Sequence, residues 1–174
     1  MSNSPDDASR SAKVFLHIRE ETSMSSNEHD MRVLNHLIEV TIDSMLGYAE
    51  AAKEAQRSEL KDLFGRRAEE RQRIAARMQE QVRVLGGTPS DEGTLAATVH
   101  RVFVDLRSAL SKGDEAVVKE VERGEGHIKA KYETLLKDDD LTPATRMVVQ
   151  DAYQLVLDGH DQMRDLKHTM ENAS

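Results

Sequence analysis

Apolar residues recur three and four positions apart in five stretches of this chain, and each stretch predicts an amphipathic helix. The first runs from about residue 28 to 55, with Leu34, Leu37, Ile38, Thr41, Met45, Tyr48 and Ala52 on one face. The second, 58–85, carries Leu60, Leu63, Phe64, Ile74, Met78 and Val82, and Gly86-Gly87-Thr88-Pro89 ends it. A shorter helix over 94–110 presents Leu95, Val99, Phe103, Leu106 and Leu110. Residues 114–137 carry Val117, Val121, Ile128, Tyr132 and Leu135. The last stripe, within 142–170, reads Val149, Tyr153, Val156, His160, Met163, Lys167 and Met170 at alternating spacings of four and three. His160 interrupts its apolar character without breaking its rhythm.

These stripes predict an all-α domain over residues 28–171, with four long helices and a helical crossover between the second and third. The link near residues 56–57 is so short that the first two helices should form an antiparallel hairpin. Ser58, Asp114 and Thr142 are the expected N-caps, the last followed by Pro143 at the first helical position. Residues 1–27 lack a sustained period and are expected as a disordered tail. Within that tail Val14, Phe15, Leu16 and Ile18 could form a short docking helix, and Met24 offers an alternative translation start.

Composition narrows the chemistry. Charged residues make up 32% and aromatic residues 3%, with no Trp, which suits helices and not a sandwich or barrel. No stretch reaches the roughly 20 apolar residues of a membrane span, and the first 30 residues lack the apolar core of a signal peptide. The absence of cysteine removes disulfides, thiolate metal sites and thiol catalysis, and is compatible with a bacterial cytoplasm. A net charge of −8 argues against nucleic acid as a partner. The basic run Arg66, Arg67, Arg71, Arg73 and Arg77 is interleaved with Glu69, Glu70 and Glu80, and reads mainly as intrahelical ion pairing. Dinucleotide, P-loop, zincin and nucleophile-elbow motifs are all absent from the sequence.

Projection at 100° per residue brings a few ionisable groups to the seams. His160 falls near the centre of the last helix and Glu125 lies among Val121, Ile128 and Tyr132, with Gly124 beside it leaving room for a neighbour. Glu70 sits on the shoulder of the second helix, with Arg67 and Arg71 nearer the centre. Glu70, Glu125 and His160 could make an oxygen and nitrogen site for Fe, Mn or Zn. The same residues could instead form a buried network in which Arg71 bridges Glu70 and Glu125 and His160 closes it. Central arginines favour the network, because a cation competes with a metal for the carboxylates. His29 and His36 are spaced for metal binding but also arise by chance, and Asp158 and Asp161 read as solvated acids.

Leu34-Asn35-His36-Leu37-Ile38-Glu39 with Asp43 and Gly47-Tyr48 resembles the first helix of the bacterial family named domain of unknown function 2383. The resemblance continues through Leu63-Phe64, Ala68, Glu70-Arg71, Leu85-Gly86-Gly87 and Pro89, and into Leu95, His100-Arg101, Asp105-Leu106 and Ala109-Leu110. Glu122-Arg123-Gly124-Glu125, Tyr132, His160-Asp161 and Arg164 to Leu166 extend it, so that it spans about residues 31–168. It implies a ferritin-like four-helix bundle, with 94–110 as the crossover. A di-iron site on that fold would need a Glu from each of two helices and a Glu-x-x-His pair from each of the others. Here Arg73 stands three residues after Glu70, Leu157 stands three before His160, and the first helix turns no carboxylate toward the seam. The expected function is therefore non-enzymatic, without a resident cofactor, in stress physiology through a protein partner or a homodimer, for which the 94–110 helix offers apolar surface. The alternative is a metal-binding or redox-protective protein using Glu70, Glu125 and His160.

Overall fold

The computed structural model describes residues 5–93, 108–109 and 112–173, with side chains from Met24 onward. Among the described residues there are four helices and no strand: α1 Pro5–Glu54, α2 Ser58–Val84, α3 Asp114–Leu135 and α4 Pro143–Ala173. The expected helix over 94–110 lies outside the described residues apart from Ser108 and Ala109, which are helical. Among the described residues no helix is long and apolar enough to cross a membrane.

The first helix is longer than its apolar stripe. Residues 5–27, expected as a disordered tail, continue α1 from a start at Pro5. Proline suits a first helical turn, where its missing N–H would have no intrahelical partner. No glycine occurs in α1 before Gly47. Once nucleated, a helix propagates through such residues at little cost. A missing apolar period is therefore not a sign of a missing helix.

The caps also differ from the sequence pattern. Ser58 is the first residue of α2, whose cap position is held by Arg57 without a side-chain bond. Gly113 occupies the cap of α3 with φ of 94°, a conformation that favours glycine. Asp114 is thereby freed to serve another helix end. Its carboxylate accepts the backbone N–H of Gln56 at 2.7 Å and of Arg57 at 3.1 Å, and so holds the α1–α2 turn. Thr142 does stand at the cap of α4, where its hydroxyl oxygen lies 3.5 Å from the Thr145 N–H. Asp30 of α1, fully buried, accepts both the Thr142 N–H at 3.2 Å and the Thr142 hydroxyl.

These contacts set the topology. α1 packs on α2 and on α3, α4 packs on α3 and on α2, and the α1–α4 contact is slight. Ser44 faces Glu125 while Thr41 faces Tyr132, so α1 and α3 are antiparallel. Arg67 meets Gln162 and Arg77 meets Asp151, which makes α2 and α4 antiparallel as well. The chain leaves α2 beside Met31, where Gly87 packs, and enters α3 beside Gln56 and Arg57. Along α1 those points are about 38 Å apart at 1.5 Å per residue. The first part of the connection is strapped to α1. Asn35 donates to the Thr88 carbonyl at 3.1 Å and accepts the Ser90 N–H at 2.8 Å, and the Ser90 hydroxyl donates to Glu39 at 3.0 Å.

The apolar interior falls into two clusters. One gathers Leu34, Leu37, Ile38, Ile74, Met78, Val82, Ile128, Tyr132, Val149 and Val156. The other gathers Tyr48, Ala51, Leu60, Phe64, Val117, Val118, Val121 and Met163. What lies between them is polar.

α2 ends in a Schellman turn: Gly87 N–H reaches the Val82 carbonyl and Gly86 N–H the Arg83 carbonyl, both at 2.9 Å, with Gly86 at φ of 87°. Gly86→Ala is therefore expected to destabilise the protein by about 1–2 kcal/mol in chemical denaturation. Gly65 sits mid-helix with open space around an added methyl, so Gly65→Ala should stabilise by roughly 0.5–1 kcal/mol. Equal effects at the two sites would contradict the turn geometry.

Candidate functional site

All four helices contribute to the polar layer between the two clusters. Arg71 of α2 is the largest fully buried side chain among the described residues, at 0% exposure. It is drawn inward by helical phase, since Phe64, Arg71, Ile74, Ala75, Met78 and Val82 share the buried face of α2. Glu125 of α3, 2% exposed, meets it from the opposite side, with Arg71 Nη2 donating to Glu125 Oε2 at 2.6 Å. Ser44 of α1 links the pair: its hydroxyl donates to Glu125 Oε1 at 3.1 Å and accepts Arg71 Nε at 3.3 Å.

Gly159 of α4 completes the layer by being small. A methyl group there would stand 2.5 Å from Arg71 Nη2 and 2.9 Å from Glu125 Oε2. Arg71 Nη1 points toward α4 and toward the outside, 3.4 Å from the Leu155 carbonyl and 3.4 Å from Glu70 Oε2. Arg67 closes the outer side of the layer, donating to Glu70 at 2.6 Å and to Gln162 Oε1 at 2.9 and 2.8 Å. The guanidinium carbon of Arg71 also lies 5.8 Å from the centroid of the Tyr48 ring.

Electrostatics fit a closed pair. Burial works against the Arg71 charge, but Glu125, Tyr48 and Glu70 together more than offset it, Glu125 foremost, and move the guanidinium pKa upward. Tyr48 is pushed well above the usual phenol range, first by burial and then by the negative charge of Glu125. Among the described residues no group meets its hydroxyl within normal hydrogen-bond geometry. About two turns earlier along α1, Thr41 donates to the Leu37 carbonyl at 2.6 Å and pairs with the Tyr132 hydroxyl at 2.8 Å. Burial raises the Tyr132 pKa as well.

Of the four residues expected in the network, the structure brings Glu70, Arg71 and Glu125 together and leaves His160 out. His160 Nδ1 lies 3.1 Å from Asp161 Oδ1 on its own helix, and Asp161 also takes Arg164 at 2.9 Å. The reason is rotation of α4. Its buried face is Thr145, Val149, Ala152, Val156, Gly159 and Met163, with spacings of four and three. Ala152 and Gly159 are small, so an apolar stripe drawn through Tyr153 and His160 misplaces the centre by one residue. Gly124 likewise has nothing near an added methyl, and the close approach occurs at Gly159. Ser44 carried a usable signal, because Leu37, Thr41, Ser44 and Tyr48 form one row.

Glu70, Glu125 and His160 do not converge as a ligand set, since the two carboxylates flank the Arg71 guanidinium and the imidazole turns to Asp161. Among the described residues no three His, Cys, Asp or Glu side chains are grouped to hold a metal ion. His29 is engaged elsewhere, with Nε2 at 2.8 Å from Asp138 Oδ2. The Asp138 pKa is lowered, chiefly by the Asp140 N–H and further by His29. The basic run on α2 is only partly intrahelical: Arg67 pairs with Glu70, but Arg77 crosses to Asp151 at 2.6 Å and Arg71 to Glu125.

The sequence profile of the family described as "Domain of unknown function (DUF2383)" matches residues 30–138, which include Ser44, Arg71 and Glu125. No curated protein matches the chain.

Removing one partner of a buried ion pair strands the other charge, and Arg71→Met should cost about 3–5 kcal/mol in urea denaturation. Arg71→Met with Glu125→Leu should recover most of that loss, because apolar residues can replace a buried pair at little net cost. A single substitution costing under about 1 kcal/mol would show that the pair is not desolvated. Tyr48 gives a pH signature. Below about pH 10 both folded and unfolded chains keep the phenol proton; above it only the unfolded chain loses it, so stability falls. Tyr48→Phe should reduce that alkaline loss, with Tyr132 still contributing to it, and should change neutral stability little, as its hydroxyl makes no hydrogen bond of normal geometry among the described residues.

Proposed function

The chain belongs to this family of unknown function, and from that premise we propose that it is a non-enzymatic protein that works by associating with protein surfaces. In this reading the four helices form a ferritin-like bundle and residues 94–110 are its crossover helix. The antiparallel pairing of α1 with α3 and of α2 with α4 supports the bundle. The exit and re-entry points about 38 Å apart along α1 support the crossover. A helix over 94–110 would cover about 25 Å of that distance. The proposed cytoplasmic site of action is supported by the absence of cysteine, and the stress role by the family resemblance alone.

One observation carries the non-enzymatic reading. The centre of such a bundle is where inward carboxylates and histidines build a reactive metal centre. Here a guanidinium fills that centre at 2.6 Å from Glu125, and the Glu125 oxygens are taken by Arg71 and Ser44. The donor set does not fit Fe, Mn or Zn, because a bound metal would have to displace Arg71 and leave its charge buried and unpaired. His160 would also have to leave Asp161 and turn inward.

Metal analysis of protein purified without a histidine tag, followed by melts with Fe, Mn or Zn, tests this. No stoichiometric metal and no rise in Tm are expected. A metal present at a hundred times its Kd should add about 2.7 kcal/mol. Such a gain, lost on Glu125→Gln, would establish the metal-binding alternative.

A further inference from the structure

Among the described residues four large apolar side chains are exposed, and three of them share one face. Val84 is 70% exposed, Met147 59% and Leu155 38%. Val84 lies on the outer row of α2 with Arg73, Arg77 and Glu80, at spacings of four, three and four. Met147 and Leu155 lie on the facing row of α4, on either side of Asp151. Between the rows runs a cavity of about 290 Å³ whose apolar walls are Ile74, Met78, Val148, Ala152 and Leu155. α2 and α4 touch less than α1 and α2 or α3 and α4 do, so this seam opens outward, with Arg77 and Asp151 joined across it at 2.6 Å.

The charges on the α2 row are self-complementary. Arg73 makes no ion pair among the described residues. Glu80, 69% exposed, holds only Arg83 on its own helix at 3.3 Å. The two lie seven positions apart on one row, with Arg77 between them and already neutralised by Asp151.

We propose that this face is the contact between two copies of the chain, related by a two-fold axis that crosses α2 near Arg77. Two antiparallel α2 helices then bring Arg73 of each copy to Glu80 of the other, so both pairs form at once. The same arrangement carries Val84 of each copy toward the Leu155 end of the other seam. A uniformly acidic partner would satisfy Arg73 but set a like charge against Glu80, which is why the second copy is the better occupant. The inference rests on the association reading above and gives it a surface and a partner.

Sedimentation of the full chain up to about 100 µM should show twice the 19.5 kDa chain mass. Arg73→Glu and Glu80→Arg should each weaken the dimer at least about 10-fold, and the double exchange should restore it to within about 3-fold. Leu155→Lys, or Val84→Lys at the more exposed site, should give a monomer with unchanged helical signal. A chain that stays monomeric throughout overturns the proposal. So does a dimer that survives both lysine variants, or a double exchange without rescue. The metal melts remain the separate test of the non-enzymatic reading, so the two can fail independently.

Discussion

A guanidinium with no solvent contact has to be met by an anion and hydrogen-bond acceptors in fixed places, and that requirement organises these four helices. Arg71 is bound by Glu125, Ser44 and the Leu155 carbonyl, which belong to the other three helices. Sliding any one of them by seven residues, about 10.5 Å, would keep its apolar stripe facing inward but carry its polar group out of the layer. Apolar contacts tolerate such shifts far better, because many pairings of Leu, Ile and Val are nearly equivalent. A buried ion pair adds little net stability over a well-packed apolar pair, yet it penalises the wrong register heavily. Its role here is to choose among packings that the two apolar clusters alone would leave close in energy.

The ends of the helices are held by the same exchange of groups between elements. Asp114 of α3 binds the α1–α2 turn, Asp30 of α1 binds the start of α4, and Arg146 of α4 donates to the Leu136 carbonyl at 2.8 Å. Asn35 and Glu39 of α1 and Gln79 of α2 tie down the chain that follows α2. Each helix terminus leaves backbone groups without intrahelical partners, and here side chains of neighbouring helices supply several of them. Register at the centre and satisfaction at the ends therefore depend on each other.

Much of this was legible from apolar spacing. The four long helices and the α1–α2 hairpin follow from runs of apolar residues that keep a helical period, and Arg71 and Glu125 stood out as charges inside those runs. The errors have physical causes. α4 is centred on Gly159 and not on His160 because small residues at a tight seam contribute little hydrophobicity and yet mark the closest approach. The length of α1 was hidden because a helix can form through residues that show no apolar period. Asp114 was assigned to its own helix because local capping is visible in sequence, whereas a carboxylate reaching the turn between two other helices is not. The helix expected over 94–110 lies outside the described residues apart from Ser108 and Ala109.

The polar centre also bears on function. In the non-enzymatic reading proposed above, this layer spends its charges on one another, and recognition falls to the outer surface, where charge and exposed apolar area occur together between α2 and α4. The most direct test of the layer is native-state hydrogen exchange along the four helices. A closed ion-pair layer predicts that the central amides, over residues 41–48, 68–75, 122–129 and 156–163, exchange only through global unfolding, as slowly as those of Leu34 to Ile38. Faster exchange at the centre, with protection kept on both sides, would show that the layer opens by itself and does not hold the register.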